Sequence, residues 1–205
     1  MLDILVPAFV TLFVIIDPIG LAPLFIALTQ GMTEAERERV GRRALVLSFL
    51  LLAAFGLFGE RLLTGIGISL PAFRISGGLL LFLTALDMLF ERRTDRRERK
   101  AGEAPSDPSV FPLAMPLIAG PGALTTMILL TSRHSDPASL VGINLVMLAV
   151  LLLTYLAFRL SRVFARALGH TGILVLTRLF GILLAALSVQ FVLDGLRDYG
   201  FVAGG

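Results

Sequence analysis

Apolar runs of membrane-spanning length recur along the chain, and charge is confined almost entirely to the stretches between them. A helix needs about 20 apolar residues to cross the hydrocarbon layer of a bilayer. A chain of 205 residues has room for about six such spans and their connections. Nothing is left for a sizeable extramembrane domain, and a soluble catalytic module is excluded. Composition agrees, with 16% charged residues and a mean hydropathy of +0.88, against about 25% charged in an ordinary soluble domain. The absence of cysteine removes disulfides, thiolate nucleophiles and zinc–thiolate or iron–sulfur sites together. A pI near 10.2 does not mark a nucleic-acid binder, because 17 of the 18 basic residues are Arg placed mostly between apolar runs, as topology determinants are.

No basic segment precedes the first run, which outlasts the apolar region of a signal peptide, so it is expected to stay in the mature protein. It covers residues 4–30 but holds Asp17-Pro18-Ile19-Gly20 and Pro23 at its midpoint, which predicts two half-helices rather than one. Thr33 followed by Glu36 has the capping-box pattern and predicts a short helical turn leading into a second span over 44–59. The segment LLTGIGISL, between Arg61 and Pro71, is short and Gly-containing and reads as an interfacial connector. A third span covers 72–89. A fourth, over 110–132, is uncharged and interrupted by Pro116 and by Ala119-Gly120-Pro121-Gly122-Ala123. A fifth and a sixth cover 140–158 and 173–193.

The chain thus divides into a first three-span unit (1–90), a charged linker (91–109) and a second three-span unit (110–205). Thirteen basic residues fall in the first, third and fifth connections, while Arg61, Arg133 and Arg197 fall on the opposite side. The positive-inside rule then places both termini outside the cytoplasm of a bacterial inner membrane. An offset of 103 residues lays Asp17-Pro18-Ile19-Gly20 over Gly120-Pro121-Gly122-Ala123 and Gly78 over Gly181; one residue more lays Arg74 over Arg178. An odd number of spans per unit makes the two copies insert in opposite senses. The expected fold class is therefore an all-α membrane protein of six transmembrane helices in two inverted three-helix repeats, with the first and fourth spans broken at mid-membrane.

A broken span exposes backbone N–H and C=O groups where each unpaired group costs several kcal/mol, so breaks persist only against protein or a water-filled cavity. Two breaks at one depth predict a cavity. The N-terminus of each downstream half-helix suits a carboxylate, and the preceding carbonyls suit a cation or an amine. Asp17 is the sharpest candidate, because a carboxylate near the bilayer centre costs about 2.5 to 3.5 kcal/mol on insertion scales. It reads as a proton or cation coupling site, as an anchor for a substrate ammonium, or as the N-cap of the half-helix beginning at Pro18. Arg74 and Arg178 are candidate charge partners for Asp17, Asp87 or a substrate carboxylate, with snorkelling to the interface as the alternative. Thr125 and Thr126 follow the second break closely enough to face a cavity, whereas Thr29 and Thr131 read as back-bonded to their own helices. Gly77, Gly78 and Gly181 read as close-packing positions. His134 and His170 fall on opposite sides, and no nucleophile elbow or zinc motif is present, so no enzyme is expected.

The stretches DPIGLAPLFIALT, PLAMPLIAGPGALTT, GGLLLFLTALDML and RLFGILLAALSVQFVLDG resemble the MarC family of bacterial integral membrane proteins over nearly the whole chain. The resemblance implies a six-span inner-membrane protein distantly related to LysE-type exporters, some relatives being described as neutral amino acid transporters. It implies a site made of Asp17, Pro18, Gly20 and Pro23 with Gly120, Pro121, Gly122 and Thr125. The expected function is secondary transport of a small zwitterion, a neutral amino acid, driven by a proton or sodium gradient. The competing expectation is a non-transporting scaffold or regulator of an envelope system. The expected partners are a small solute and the lipid bilayer, no nucleic acid and no cofactor beyond the coupling H+ or Na+; a homo-oligomer is compatible with the sequence.

Overall fold

The computed structural model describes residues 1–90 and 107–201, without the side chains of Phe164, Ala165 and His170. The charged linker lies outside the described residues as far as 106, including Arg92, Arg93, Arg96, Arg97, Arg99 and Lys100. Among the described residues the regular structure is helical. The elements are α1 (Leu2–Ile16), α2 (Pro18–Leu28), α3 (Glu34–Gly65), α4 (Leu70–Leu89), α5 (Ser109–Ile118), α6 (Pro121–Arg133), α7 (Pro137–Arg159) and α8 (Ser161–Asp198). Five helices are long and apolar enough to cross a membrane when α1 and α2 count as one, and α5 with α6, bent by 55°, brings the spans to six. The membrane part of α8 is Thr171–Asp198, set off by Gly169 at φ 61°.

Local chemistry accounts for the helix starts. Thr33 N–H donates to Glu36 Oε2 at 2.8 Å while Glu36 N–H donates to Thr33 Oγ1 at 3.3 Å, so the predicted capping box opens α3. Asp136 accepts from Ser139 N–H at 2.9 Å and opens α7, and that bond holds the Asp136 carboxyl below its ordinary range. Two expectations are corrected. The turn at Thr33 does not stand apart from the second span, since α3 is one continuous helix of 32 residues. Nor is LLTGIGISL a connector as a whole: its first four residues form the last turn of α3, because no residue obstructs the helix before Gly67 at φ 80°.

Half of the broken first span is buried, against 22–39% of the four unbroken spans. It runs parallel to α7, with Leu5 packed at Gly142 near one end and the Phe25 and Phe158 rings stacked at 4.4 Å near the other. The most extensive helix interface joins α4 and α8, which are antiparallel. Gly78 there meets the Ser188 carbonyl and Gly181 meets the Ala85 carbonyl, so both glycines serve close backbone approach as expected. Thr131 Oγ1 donates to Gly56 O at 2.6 Å and stitches α6 to α3. The outward faces carry Leu50, Phe58, Leu83, Leu145, Leu152 and Leu183, all exposed, which lipid tolerates and water does not.

The bundle therefore has a terminal end, where both termini lie, and a loop end, where Arg37, Arg39, Arg42, Arg43, Arg159, Arg162 and Arg166 collect. The helices α2 and α6 begin at Pro18 and Pro121, 103 residues apart, and α3 and α7 begin at Glu34 and Pro137 with the same spacing.

Candidate functional site

Asp17 separates α1 from α2 in the left-handed conformation, φ 52° and ψ 65°, which Asp and Asn adopt more readily than other non-glycine residues. Its N–H donates to Phe13 O at 2.9 Å and its carbonyl accepts from Leu21 N–H at 3.0 Å, so one residue ends one helix and starts the next. Pro18 occupies the first position of α2, where its missing N–H leaves nothing unsatisfied. Asp17 Oδ1 accepts from Gly20 N–H at 3.0 Å and caps the half-helix. A Cβ at residue 20 would collide with Asp17 Oδ2, so glycine there lets the carboxylate fold back over the first turn. Asp17 is fully buried, and its Oδ2 has no hydrogen-bond partner. Pro23, one turn further, leaves the Ile19 carbonyl without its helical donor.

The second break is built differently. The segment α5 is interrupted by extended backbone at Phe111 and Met115 and closes with Ala119 N–H donating to Ala114 O at 2.9 Å; Gly120 is extended, and Pro121 starts α6 with no side-chain cap. Gly122 is buried where a Cβ would meet Leu81 at 2.5 Å and Ile15 at 3.4 Å. Ile15 lies two residues before Asp17, so the two breaks adjoin. Thr126, one turn beyond Gly122 on the same face of α6, is 1% exposed with an unpartnered Oγ1.

The structure thus buries Asp17, Pro18, Gly120 and Gly122, leaves Gly20 half-buried, and joins the two breaks through Ile15 against Gly122. Three expectations change. The Gly20 N–H is not available to a substrate carboxylate, because the Asp17 carboxylate already holds it. Thr125 turns its methyl group onto Gly77 of α4 and acts in packing, while its neighbour Thr126 carries the unsatisfied hydroxyl. Pro121 is exposed, on the outer side of the break. The i, i+4 relation of Thr126 to Gly122 is the sequence signal that distinguishes it from Thr125.

Arg74 pairs elsewhere than at Asp17. Arg74 is buried at the terminal end, ion-paired with Asp194 and, at 2.7 Å, with Asp198. Arg133 joins the group at 3.5 Å from Asp198, and Gln190 donates to Asp194 Oδ1 at 2.7 Å. This cluster binds α4, α6 and α8 together. Sequence reasoning overlooked its acids because Asp194 and Asp198 meet Arg74 only through the antiparallel register of α4 on α8. Arg178 is exposed near the start of the membrane part of α8.

Fold and junction together define a polytopic α-helical membrane protein whose first span is interrupted at a buried carboxylate. Residues 2–199 match the family described as MarC family integral membrane protein, and the chain belongs to that family. It is 36% identical over 202 residues to the UPF0056 membrane protein YvbG of Bacillus subtilis (96% of each chain). It is 39% identical to a UPF0056 membrane protein of Archaeoglobus fulgidus (93% of this chain, 91% of the relative) and 34% identical to the UPF0056 membrane protein YhcE of Escherichia coli (92% and 90%). No solved structure matches the chain.

Proposed function

We propose that this protein is a secondary transporter of a small zwitterionic solute, a neutral amino acid, coupled to a proton or sodium gradient. The observation that carries the reading is the Asp17 carboxyl group: fully buried, and left with a free Oδ2 at a helix break. A carboxylate in that position is expensive unless something compensates it. A proton, a sodium ion or a substrate ammonium would do so. The uncapped N-terminus of α6 beside it offers N–H groups at Gly122 and Ala123 and about half a positive charge to a substrate carboxylate, with the Thr126 hydroxyl one turn on. Opposite partial charges side by side suit a zwitterion.

Alternating access follows from an inverted pair of three-helix repeats rocking about this junction. The equal spacing of the helix starts at Pro18 and Pro121, and at Glu34 and Pro137, supports that arrangement, as does the antiparallel seating of α4 on α8. The arginine-rich loop end is the cytoplasmic end in this reading, which puts both termini outside an inner membrane. The test is uptake of labelled glycine or alanine by proteoliposomes under an imposed proton or sodium gradient, with Asp17→Asn as the comparison. Gradient-driven uptake that the variant loses supports the reading. Folded protein without uptake under either gradient turns it toward the scaffold alternative.

A further inference from the structure

Apart from the junction at Asp17, a second place in the molecule leaves buried polar atoms unsatisfied. A cavity of about 340 Å³ at the loop end is lined by Phe25, Arg37, Tyr155, Phe158, Arg159 and Arg162, with Glu34 and Glu38 also on its wall. Arg37 is 8% exposed and its Nε has no partner. Its guanidinium lies 5.7 Å from the centre of the Phe25 ring, which the Phe158 ring backs, so aromatic packing helps to set its position beside a long pair with Glu34. The two acids are otherwise engaged. Glu34, 76% exposed, sits 2.7 Å from Arg162 and only 3.8 Å from Arg37; Glu38 accepts from the Tyr155 hydroxyl at 3.2 Å. Arg159 forms no ion pair among the described residues.

The first turn of α8 adds to the same excess. Arg162 and Val163 of that turn line the cavity, and the helix begins without a side-chain cap. Ser161, its first residue, is 1% exposed with an unpartnered Oγ. A buried arginine, a second arginine without an acid and Arg162 at the uncapped start of α8 therefore meet at the cavity from α3, α7 and α8. Donors arriving from three directions match a tetrahedral oxyanion better than a planar carboxylate. The space exceeds that of a bare anion, and Phe25, Phe158 and Val163 give it an apolar side for a substituent.

We propose that this cavity binds a phosphate-class anion, carried by an anionic phospholipid head group or by a soluble phosphate ester, with Arg37 and Arg159 as its principal contacts. Basic pockets between helix ends at the membrane surface are built for this chemistry. The site stands independently of the Asp17 reading.

The experiment measures thermal unfolding of the purified full-length protein in a phosphate-free detergent. Phosphatidylglycerol, phosphatidylcholine, glycerol 3-phosphate, inorganic phosphate and matched chloride are titrated in separate arms. Stabilisation by phosphatidylglycerol well beyond phosphatidylcholine assigns the head group; stabilisation by glycerol 3-phosphate or phosphate beyond chloride assigns the soluble ligand. Arg159→Gln, a change at an exposed side chain, weakens the half-maximal concentration about tenfold or more, the loss of one charge-assisted contact. Arg37→Gln does the same where it folds, and Arg197→Gln at the opposite end leaves it unchanged. The proposal fails if no phosphate compound stabilises beyond its control, or if Arg159→Gln retains the full response.

Discussion

The two helix breaks occupy equivalent places in the chain and adjoin in the bundle, yet they meet the same physical problem in opposite ways. At the first, Asp17 supplies its own cap, so the start of α2 is satisfied and its carboxyl group is left with one free oxygen. At the second, Gly120 supplies nothing and the start of α6 keeps its unneutralised dipole. A structural kink needs only to satisfy the backbone, and a second carboxylate at position 120 would have done so. One capped break beside one uncapped break is what the proposed dipolar seat requires. The breaks are thus distinguishable by substitution, because a change at the first acts on charge and a change at the second acts on shape and hydrogen bonding.

The largest effect is expected at Asp17. Asn tolerates the left-handed conformation, and its side-chain oxygen can still accept from Gly20 N–H. Asp17→Asn should therefore unfold within a few degrees of the parent while gradient-driven uptake falls by about tenfold or more. Asp17→Ala removes the cap, about 1 kcal/mol, and forces a β-carbon residue with no local bond into the left-handed region, about 1 to 2 kcal/mol further. Thermal unfolding and uptake measured on both variants separate charge from architecture. Equal loss of stability in the two would mean that the charge, not the cap, holds the break together.

Gly20→Ala comes next. Its new Cβ would occupy the place of Asp17 Oδ2, so either the carboxylate swings away from the cap or the first turn of α2 shifts. Such overpacking costs about 1 to 3 kcal/mol. Scanning calorimetry or a fluorescence melt checks the size. Doubling the change with Asp17→Ala sharpens it: coupling between the two should be large, since removing the Asp17 side chain removes both the cap bond and the atoms the new Cβ strikes.

Thr126→Val probes the second break and should have the opposite sign. Its hydroxyl is buried without a partner, and an unsatisfied buried polar group costs about 1 to 3 kcal/mol. Replacing it with a methyl group stabilises the resting protein by up to about 1 kcal/mol while raising the KM for transport. A variant that is both less stable and fully active would mean that the hydroxyl bonds to water or backbone and takes no part in binding.

The breaks were legible in the sequence because proline and glycine interrupt helices by covalent geometry alone, and Asp before Pro is a helix start wherever it occurs. Span number followed from hydropathy in the same local way, except where residues 62–65 continued α3, for which Gly and Thr are weak signals. What sequence could not order was which side chain faces which. Thr125 and Thr126 are chemically identical and differ only by the 100° of turn that sends one onto Gly77 and leaves the other unsatisfied. Arg74 looked available to Asp17 because both are charges in apolar runs, but the register of α4 on α8 delivers it to Asp194 and Asp198 instead. Local rules are written in adjacent residues, whereas charge pairing across 120 positions is written in packing.

The two broken spans also differ in where each keeps its acidic cap. The first keeps Asp17 between its two halves; the second keeps Asp107 just before its start. There it accepts from Ser109 N–H at 3.0 Å and from the Ser109 hydroxyl at the start of α5, and ion-pairs with Arg43 of α3. The Ser109 hydroxyl, more than Arg43, holds the Asp107 carboxyl below its ordinary value of 3.8. A carboxyl lowered by folding stabilises the fold fully above that ordinary value and loses the contribution as pH falls through the lower folded value. Because the side chain is 34% exposed, water screens the contribution to below about 1 kcal/mol. Melting curves of the parent and Asp107→Asn between pH 7 and pH 3 should therefore converge by a small margin at the acid end. Parallel curves across that range would place the anchoring of α5 in its apolar packing rather than in this carboxylate.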